Sequence, residues 1–259
     1  MPAIHLKALL AVTFLVVINI AVAPASRAET DGDNVFTKAE DEALESKIKS
    51  YLNDNPEIIV NAVKDYRTQK RRAQRQQASE NVEKYLDAIT DPANNPDIGA
   101  DNPTVTVVEF MDYNCGYCKR ALEGVRKVLK NRNDVRFVFQ DVAVLGPSSD
   151  NAARWALAAE KQGRYFDYHV ALMQHKSKKS HDVLRSIANE AGLDANKLEQ
   201  DARTKEIKQA VKHNQEIMQD IGIRGTPGFI INGEVHRGFM PYEDFKQRIT
   251  EAAQKNRDN

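Results

Sequence analysis

The residues with the clearest chemical potential are two cysteines, Cys115 and Cys118, which are separated by Gly116 and Tyr117. They are the only cysteines of the 259-residue chain. Closing so short a loop removes little entropy from the unfolded chain, so a structural cross-link would gain little here. A structural zinc site needs four ligands, and the sequence has neither a second such pair nor a His-x3-His pattern. The pair therefore predicts reversible thiol chemistry.

The position of the pair strengthens this prediction. A run rich in β-branched residues, 104–110, predicts a strand before the pair, and the pattern of 121–130 predicts a helix after it. Cys115 then lies where a helix begins, and the free N–H groups and the positive end of the helix dipole there stabilise a thiolate. We expect Cys115 to be the attacking nucleophile and Cys118 the resolving thiol.

Glu109 is the one acidic residue of an otherwise apolar strand, six positions before Cys115. A carboxyl buried beneath the pair would have a raised pKa and could relay a proton to or from Cys118. The alternative is an exposed residue on an alternating strand face.

A proline stands at the start of another predicted strand, in Gly225-Thr226-Pro227. A cis bond here would turn the Thr226 backbone outward, where its N–H and C=O could pair with an extended substrate beside the cysteines. An ordinary trans turn is the alternative for an isolated Thr-Pro. In this context the cis form is expected, with Gly225 and Thr226 as substrate-binding residues together with Gly116 and Tyr117.

The remaining pattern predicts an α/β fold. A second strand at 135–141 gives the strand–helix–strand order that implies parallel pairing. Residues 149–218 are helical throughout, with breaks. The chain ends in a hairpin with its turn at Asn232-Gly233 and a closing helix over 242–254.

The first 28 residues resemble an export signal, with an early basic residue, an apolar run and small residues at the end. We expect cleavage after Ala28, with Ala25 as second choice; an uncleaved anchor is the alternative. Removal of residues 1–28 leaves 35 basic and 37 acidic residues, a net charge of −2. Such a balance has no overall attraction for nucleic acid.

Residues 29–99 are predicted to form a helical arm, with one helix capped by Thr37 and another beginning at Pro56. The arm is too thin to bury a core alone. Its apolar stripes, which include Leu44 and Ile48, should therefore pack on a second copy of the arm or fold back on the following domain. The basic run 67–77 is interpreted as a solvated helix surface, with an acidic partner as the alternative.

These features together resemble the DsbA-like thioredoxin-fold proteins of the bacterial envelope. The resemblance rests on Glu109, on the Cys115-Gly116-Tyr117-Cys118 motif, on the helical insertion at about 149–218, and on Thr226-Pro227 before the 232–233 turn. It implies that Cys115 is the nucleophile, Cys118 the resolving cysteine, Glu109 the buried acid and Pro227 the cis-proline, with no metal and no cofactor.

Within that family, Tyr51-Leu52 and Asn55-Pro56-Glu57 make the arm similar to that of the oligomeric ScsC type, the suppressor-of-copper-sensitivity proteins. The similarity implies a homo-oligomer, with a trimer favoured. The domain at 100–259 is then the DsbA-like thioredoxin domain, preceded by the arm at 29–99 and the signal peptide at 1–28.

The resemblance implies a periplasmic disulfide isomerase or reductase. Strong oxidants of the family carry Pro-His between the cysteines and Val where this chain has Thr226, whereas Gly116-Tyr117 is the dipeptide of the isomerase DsbC. The expected partners are unfolded or misoxidised envelope proteins and a membrane thiol reductase of the DsbD or ScsB kind, and not nucleic acid. Two alternatives stay open: a DsbA-like dithiol oxidase, and a copper-tolerance protein that binds Cu(I) through the two thiolates.

Overall fold

The structure, a computed structural model, describes residues 36–258 of the chain. The predicted signal peptide, residues 1–28, lies outside the described residues. The elements follow in chain order: α1 (Lys38–Asp54), α2 (Pro56–Thr90), β1 (Asp97–Gly99), β2 (Val105–Met111), α3 (Gly116–Asn131), β3 (Val135–Asp141), α4 (Pro147–Glu160), α5 (Tyr165–Gln174), α6 (His181–Glu190), α7 (Ala195–Ala202), α8 (Lys205–Asp220), β4 (Gly228–Ile231), β5 (Glu234–Arg237) and α9 (Tyr242–Asp258).

The chain divides into two compact units, and residues up to Ala62 form the first. Helix α1 begins as predicted at Thr37, whose side chain accepts a hydrogen bond from the Glu40 amide while the Glu40 carboxylate accepts one from the Thr37 amide. No side chain of α1 is buried. Large apolar residues of this unit are open to solvent: Leu44, Ile48, Tyr51, Ile58, Ile59 and Val60.

The second unit begins at Val63, inside α2, whereas the sequence predicted a domain boundary near residue 100. The reason lies in the last turns of this helix. Val82 and Ile89 are buried and pack in one hydrophobic cluster with strand residues of the sheet. The Gln140 side-chain amide also donates to the Ile89 carbonyl at 3.2 Å. The C-terminal part of α2 is therefore part of the same core as the sheet.

A five-stranded sheet in the order β1-β3-β2-β4-β5 forms the centre of the second unit. Strands β2 and β3 are parallel, as the strand–helix–strand order predicted, and the other three pairings are antiparallel. The predicted hairpin turn is present, with positive φ at both Asn232 and Gly233. The short edge strand β1 was not predicted.

Hydrophobic residues cover both faces of the sheet. On one face, alternate residues of β2 and β3 such as Val107 and Phe137 pack with α3, α5 and α9, and this cluster contains both cysteines. On the other face, Val108 and Val138 pack with the C-terminal parts of α2 and α8. Helices α4 to α8 are inserted between β3 and β4, which confirms the predicted helical insertion. None of the described helices is both long and apolar enough to cross a membrane.

Candidate active site

The two cysteines lie at the N-terminus of α3, directly after β2. Cys115 is the N-cap residue of the helix, and its amide donates to the Asp112 carbonyl at 3.0 Å. Cys118 lies in the first turn, with 1% of its surface exposed against 8% for Cys115. Both are free thiols in this structure. Cys115 is therefore the sulfur nearer to solvent.

The surroundings of Cys115 favour its thiolate and lower its pKa to about 5. The largest cause is the hydrogen bond from the Cys118 thiol. The Thr226 side chain and the backbone N–H groups of Cys118 and Tyr117 add to it, and burial opposes it. The backbone contribution is the one that the start of a helix supplies.

The pKa of Cys118 is shifted in the opposite direction, because burial raises it strongly. Its hydrogen bond to the Cys115 thiolate and the charge of Glu109 raise the pKa further. Cys118 thus holds its proton at every ordinary pH, and it becomes a nucleophile only when a nearby group accepts that proton. The two thiols therefore differ in both access and proton affinity.

Glu109 lies in the middle of β2 and is buried, with 2% of its surface exposed, so it is not an exposed strand residue. Burial, together with the charges of Asp141 and Cys115, raises its pKa to about 8. A carboxyl with this pKa can both give and accept a proton near neutral pH.

The Thr226-Pro227 loop lies against Cys115. The peptide bond between these two residues is cis, as the sequence context predicted. The Cys115 thiol donates to the Thr226 carbonyl, with Sγ and O 3.2 Å apart. Behind it, the Gly238 amide donates to the Pro227 carbonyl at 2.9 Å. Gly225 is exposed, so this backbone edge is open beside the nucleophile.

An exposed aromatic surface borders the cysteines, and it joins Tyr117, predicted from the sequence as a substrate-binding residue, to Phe239, which the sequence did not reveal. The Tyr117 and Phe239 rings have centroids 6.4 Å apart and are 56% and 38% exposed. The Arg120 guanidinium lies over both rings, 4.2 Å from the Tyr117 centroid and 5.2 Å from that of Phe239. A side chain at Gly116 would meet no atom within 4 Å, which leaves open space next to Cys115. Phe239 could not be assigned from sequence because it lies far along the chain from the motif.

Asp112 is a second residue that sequence reasoning missed. It is fully buried, and its Oδ1 accepts from the Ser149 hydroxyl at 2.7 Å and from the Asn114 amide at 2.8 Å. Its Oδ2 accepts from the amides of Val144 and Leu145, both at 3.0 Å. Asp112 thus fixes the loop before Cys115 to the start of the helical insertion. An acid three positions before the first cysteine was the available signal.

Known proteins share this fold. A family model described as thioredoxin matches residues 91–251. A thioredoxin-like oxidoreductase from Silicibacter pomeroyi is 35% identical, with a TM-score of 0.62, and the match covers 65% of this chain and 97% of that one. ScsC from Proteus mirabilis, in a transitional conformation, is 26% identical with a TM-score of 0.64, and the match covers 85% of this chain and all of that one.

Curated relatives differ in how much of their length the chain covers. Disulfide bond formation protein D from Bacillus subtilis is 25% identical over 169 residues, which cover 60% of this chain and 75% of the relative. The Na(+)/H(+) antiporter NhaA 3 from Salinispora tropica is 30% identical over 155 residues, which cover 59% of this chain and only 23% of the antiporter. The chain thus spans about a quarter of the length of such antiporters.

The fold, the cysteine pair at the start of α3 and the family match define the class of protein. The chain belongs to the thioredoxin family, and its fold and its close cysteine pair, Cys115 and Cys118, are similar to those of DsbA-like thiol-disulfide oxidoreductases.

Proposed function

We propose that the chain is an exported disulfide isomerase or reductase that acts on envelope proteins with wrongly paired cysteines. The observation that carries the proposal is the setting of Cys115: the groups that lower its pKa are a thiol, a hydroxyl-bearing side chain and backbone amides, and no cation is among them. A pKa of about 5 lies between those of thioredoxin, about 7, and of the strong oxidant DsbA, about 3.5. A thiol of intermediate proton affinity both attacks a disulfide and leaves again, which isomerisation requires.

The chemistry runs through a mixed disulfide. The Cys115 thiolate attacks a client disulfide, a bond forms between Cys115 and one client sulfur, and the other client sulfur leaves as a thiolate. If this client thiolate, or another one, attacks the mixed disulfide, the client leaves with a new pairing. If Cys118 attacks instead, the client leaves reduced and the Cys115–Cys118 disulfide forms. The open backbone at Thr226 would hold an extended client segment during these steps.

Glu109 is proposed to accept the Cys118 proton as Cys118 attacks, and to return it in the reverse step. We expect Glu109→Gln to slow resolution of the mixed disulfide about tenfold or more, because proton transfer of this kind contributes a factor of this order or larger. In the measurement, Cys115 is first glutathionylated. The rate at which the protein then releases glutathione is followed from pH 5 to 9. Equal rates for the variant and the parent across this range would contradict the relay.

The same substitution has a second readout in stability. The folded chain keeps the Glu109 proton up to about pH 8, whereas an unfolded glutamic acid loses it near 4.5. The folded state therefore binds more protons between these values, and the free energy of unfolding falls as the pH rises through this window. Glu109→Gln should make that fall shallower in urea unfolding, which also shows that the variant is folded.

The role of the dipeptide between the cysteines can be tested by replacing it with Pro-His, the dipeptide of the strong oxidants. Gly116 is the first residue of α3, where proline is well tolerated, and Tyr117 is exposed, so Gly116→Pro with Tyr117→His should fold normally. A histidine here should stabilise the thiolate and make the pair a stronger oxidant. We expect the equilibrium constant with glutathione to change about tenfold or more, equivalent to about 30 mV in reduction potential. Tyr117→Phe serves as the control, and an unchanged potential in the double variant would contradict the role of the dipeptide.

The proposed location and oligomeric state rest on the sequence and on the exposed residues of α1. The signal-like residues 1–28 support the periplasm as location, and the exposed apolar residues of α1 support a homo-oligomer, with a trimer favoured by the similarity to the ScsC type. A membrane thiol reductase would keep the pair reduced. Trapping of thiols in intact cells tests this: mostly reduced Cys115 and Cys118 support the isomerase, and mostly oxidised ones support the oxidase.

A further inference from the structure

A second carboxyl is buried on the same face of the sheet as Glu109. In the parallel register of β2 and β3, Glu109 lies beside Phe139 and Met111 lies beside Asp141. Since side chains alternate along a strand, all four point to one face, which is the face that packs on the two cysteines. Asp141 is therefore the diagonal neighbour of Glu109, and it is fully buried.

The hydroxyls of Tyr165 and Tyr113 both favour the Asp141 carboxylate, and that of Tyr165 is the one within 3.5 Å of it. The Oδ1 of Asp141 accepts from the Tyr165 hydroxyl at 3.0 Å, and its Oδ2 is buried without a partner among the described residues. The Tyr165 hydroxyl in turn accepts from that of Tyr113 at 3.5 Å, and the Tyr113 oxygen lies 3.1 Å from Nδ1 of His169. A buried carboxyl group with one unpaired oxygen is costly to ionise, so Asp141 readily keeps its proton.

No cation among the described residues compensates for these two acids. Burial lowers the pKa of His169 to about 3, so its ring is neutral. Burial raises the pKa of Asp141 to about 8, against the opposing effect of the tyrosine hydroxyls. The titratable groups that face the two acids are Cys115 and Cys118 from α3, Asp112 and Tyr113 from the loop after β2, and Tyr165 and His169 from α5.

We propose that Asp141 is a positioning residue for thiol-disulfide exchange, because it shares a single negative charge with Glu109 and so sets how readily Glu109 accepts and returns the Cys118 proton. This inference rests on the proposed relay through Glu109. Two like charges on neighbouring buried carboxyls are unfavourable, so the pair loses its first proton as a unit and resists losing the second. With the charge on Glu109, the pair accepts the Cys118 proton; with the charge on Asp141, Glu109 is protonated and donates.

The proton balance of the resolving step is then complete. Cys118 gives its proton to the Glu109 carboxylate, the Cys115–Cys118 bond forms, and the bond between Cys115 and the client breaks. The client leaves as a thiolate and takes a proton from water. Asp141 takes no part in bond making, and its effect is to hold Glu109 protonated to a higher pH than Glu109 would reach beside a neutral neighbour.

The test is the pH profile of the same glutathione release, compared between Asp141→Asn and the parent. Asparagine keeps an oxygen acceptor for Tyr165 but cannot carry charge. We expect the midpoint of the Glu109-dependent change in rate to move down by about one pH unit, the usual size of the effect of removing a neighbouring like charge. The carbon-13 chemical shift of the Glu109 carboxyl, followed by NMR across the same pH range, should show the same displacement.

Two further variants separate the inference from the relay and from a loss of folding. Tyr165→Phe removes the donor that favours the Asp141 carboxylate, and it should move the midpoint in the same direction by less. In chains that already carry Glu109→Gln, Asp141→Asn should change nothing further, because its effect passes through Glu109.

The outcomes are distinguishable. An unchanged midpoint in Asp141→Asn, or an equal effect of this substitution with and without Glu109, overturns the inference and leaves the relay standing. A profile that Glu109→Gln does not alter removes the relay and the inference together.

Discussion

A chain with Cys115→Ser is expected to lose all reduction of insulin and all refolding of scrambled ribonuclease. Cys115 is the thiol with the lowered pKa and the greater exposure, and serine cannot replace the thiolate as nucleophile at neutral pH. The loss should reach the uncatalysed rate, while the free energy of unfolding changes little. Activity is measured at equal concentrations of folded protein, checked by circular dichroism.

The matched variant is Cys118→Ser, which keeps the nucleophile and removes the resolving thiol. It should still attack client disulfides and accumulate mixed disulfides through Cys115, visible on non-reducing gels and by mass spectrometry. Insulin reduction that depends on resolution should fall, whereas slow reshuffling through client thiols should persist. If Cys118 were alkylated faster than Cys115 at pH 6, the two roles would have to be exchanged.

The sequence predicts much of this site because its signals are local. Two cysteines after a strand and before a helix define the start of α3, and an acid inside an apolar strand predicts burial of Glu109. The start of α1 is likewise encoded by Thr37 and Glu40, which form the reciprocal cap. In each case, the residues that determine the structure are close in sequence.

Long-range features are the ones that sequence reasoning missed. In the sequence, Val82 and Ile89 belong to one apolar stripe of the predicted arm. Their contacts with the sheet and with α8 show that they complete the core of the second unit. In the sequence, Asp141 is the polar last residue of a predicted strand. Its position next to Glu109 depends on the β2/β3 register and on the Tyr165 hydroxyl from α5. Such contacts are set by tertiary packing, which leaves no periodic trace along the chain.

The second large effect is expected from the apolar surface of α1. Leu44, Ile48 and Tyr51 recur at helical spacing on one face and are 45% to 60% exposed. Exposed stripes of this kind are uncommon on soluble monomers, and a symmetric assembly would cover them. We therefore expect the chain with Leu44→Glu and Ile48→Glu to be monomeric by light scattering. Its insulin reduction should be normal, because the cysteines lie in the other unit.

Isomerase activity should fall together with the assembly. Several active sites held together raise the effective concentration of thiols around one client, so we expect refolding of scrambled ribonuclease to drop about tenfold or more in the monomer. A chain that begins at Val63 should behave in the same way, because it keeps Val82 and Ile89 in the core. A chain beginning at Ala100 would lose both and is predicted to be less stable by about 3 to 6 kcal/mol, from the burial of two large aliphatic side chains.

The control places the same two charges on the opposite side of the helix. Ser46 and Asn53 lie about half a turn from Leu44 around α1, at 3.6 residues per turn. Ser46→Glu with Asn53→Glu should therefore leave both the assembly and the isomerase activity intact. A monomeric parent chain would contradict the oligomer outright. A monomeric stripe variant with full isomerase activity would separate assembly from isomerisation, and the catalytic unit alone would then account for the chemistry.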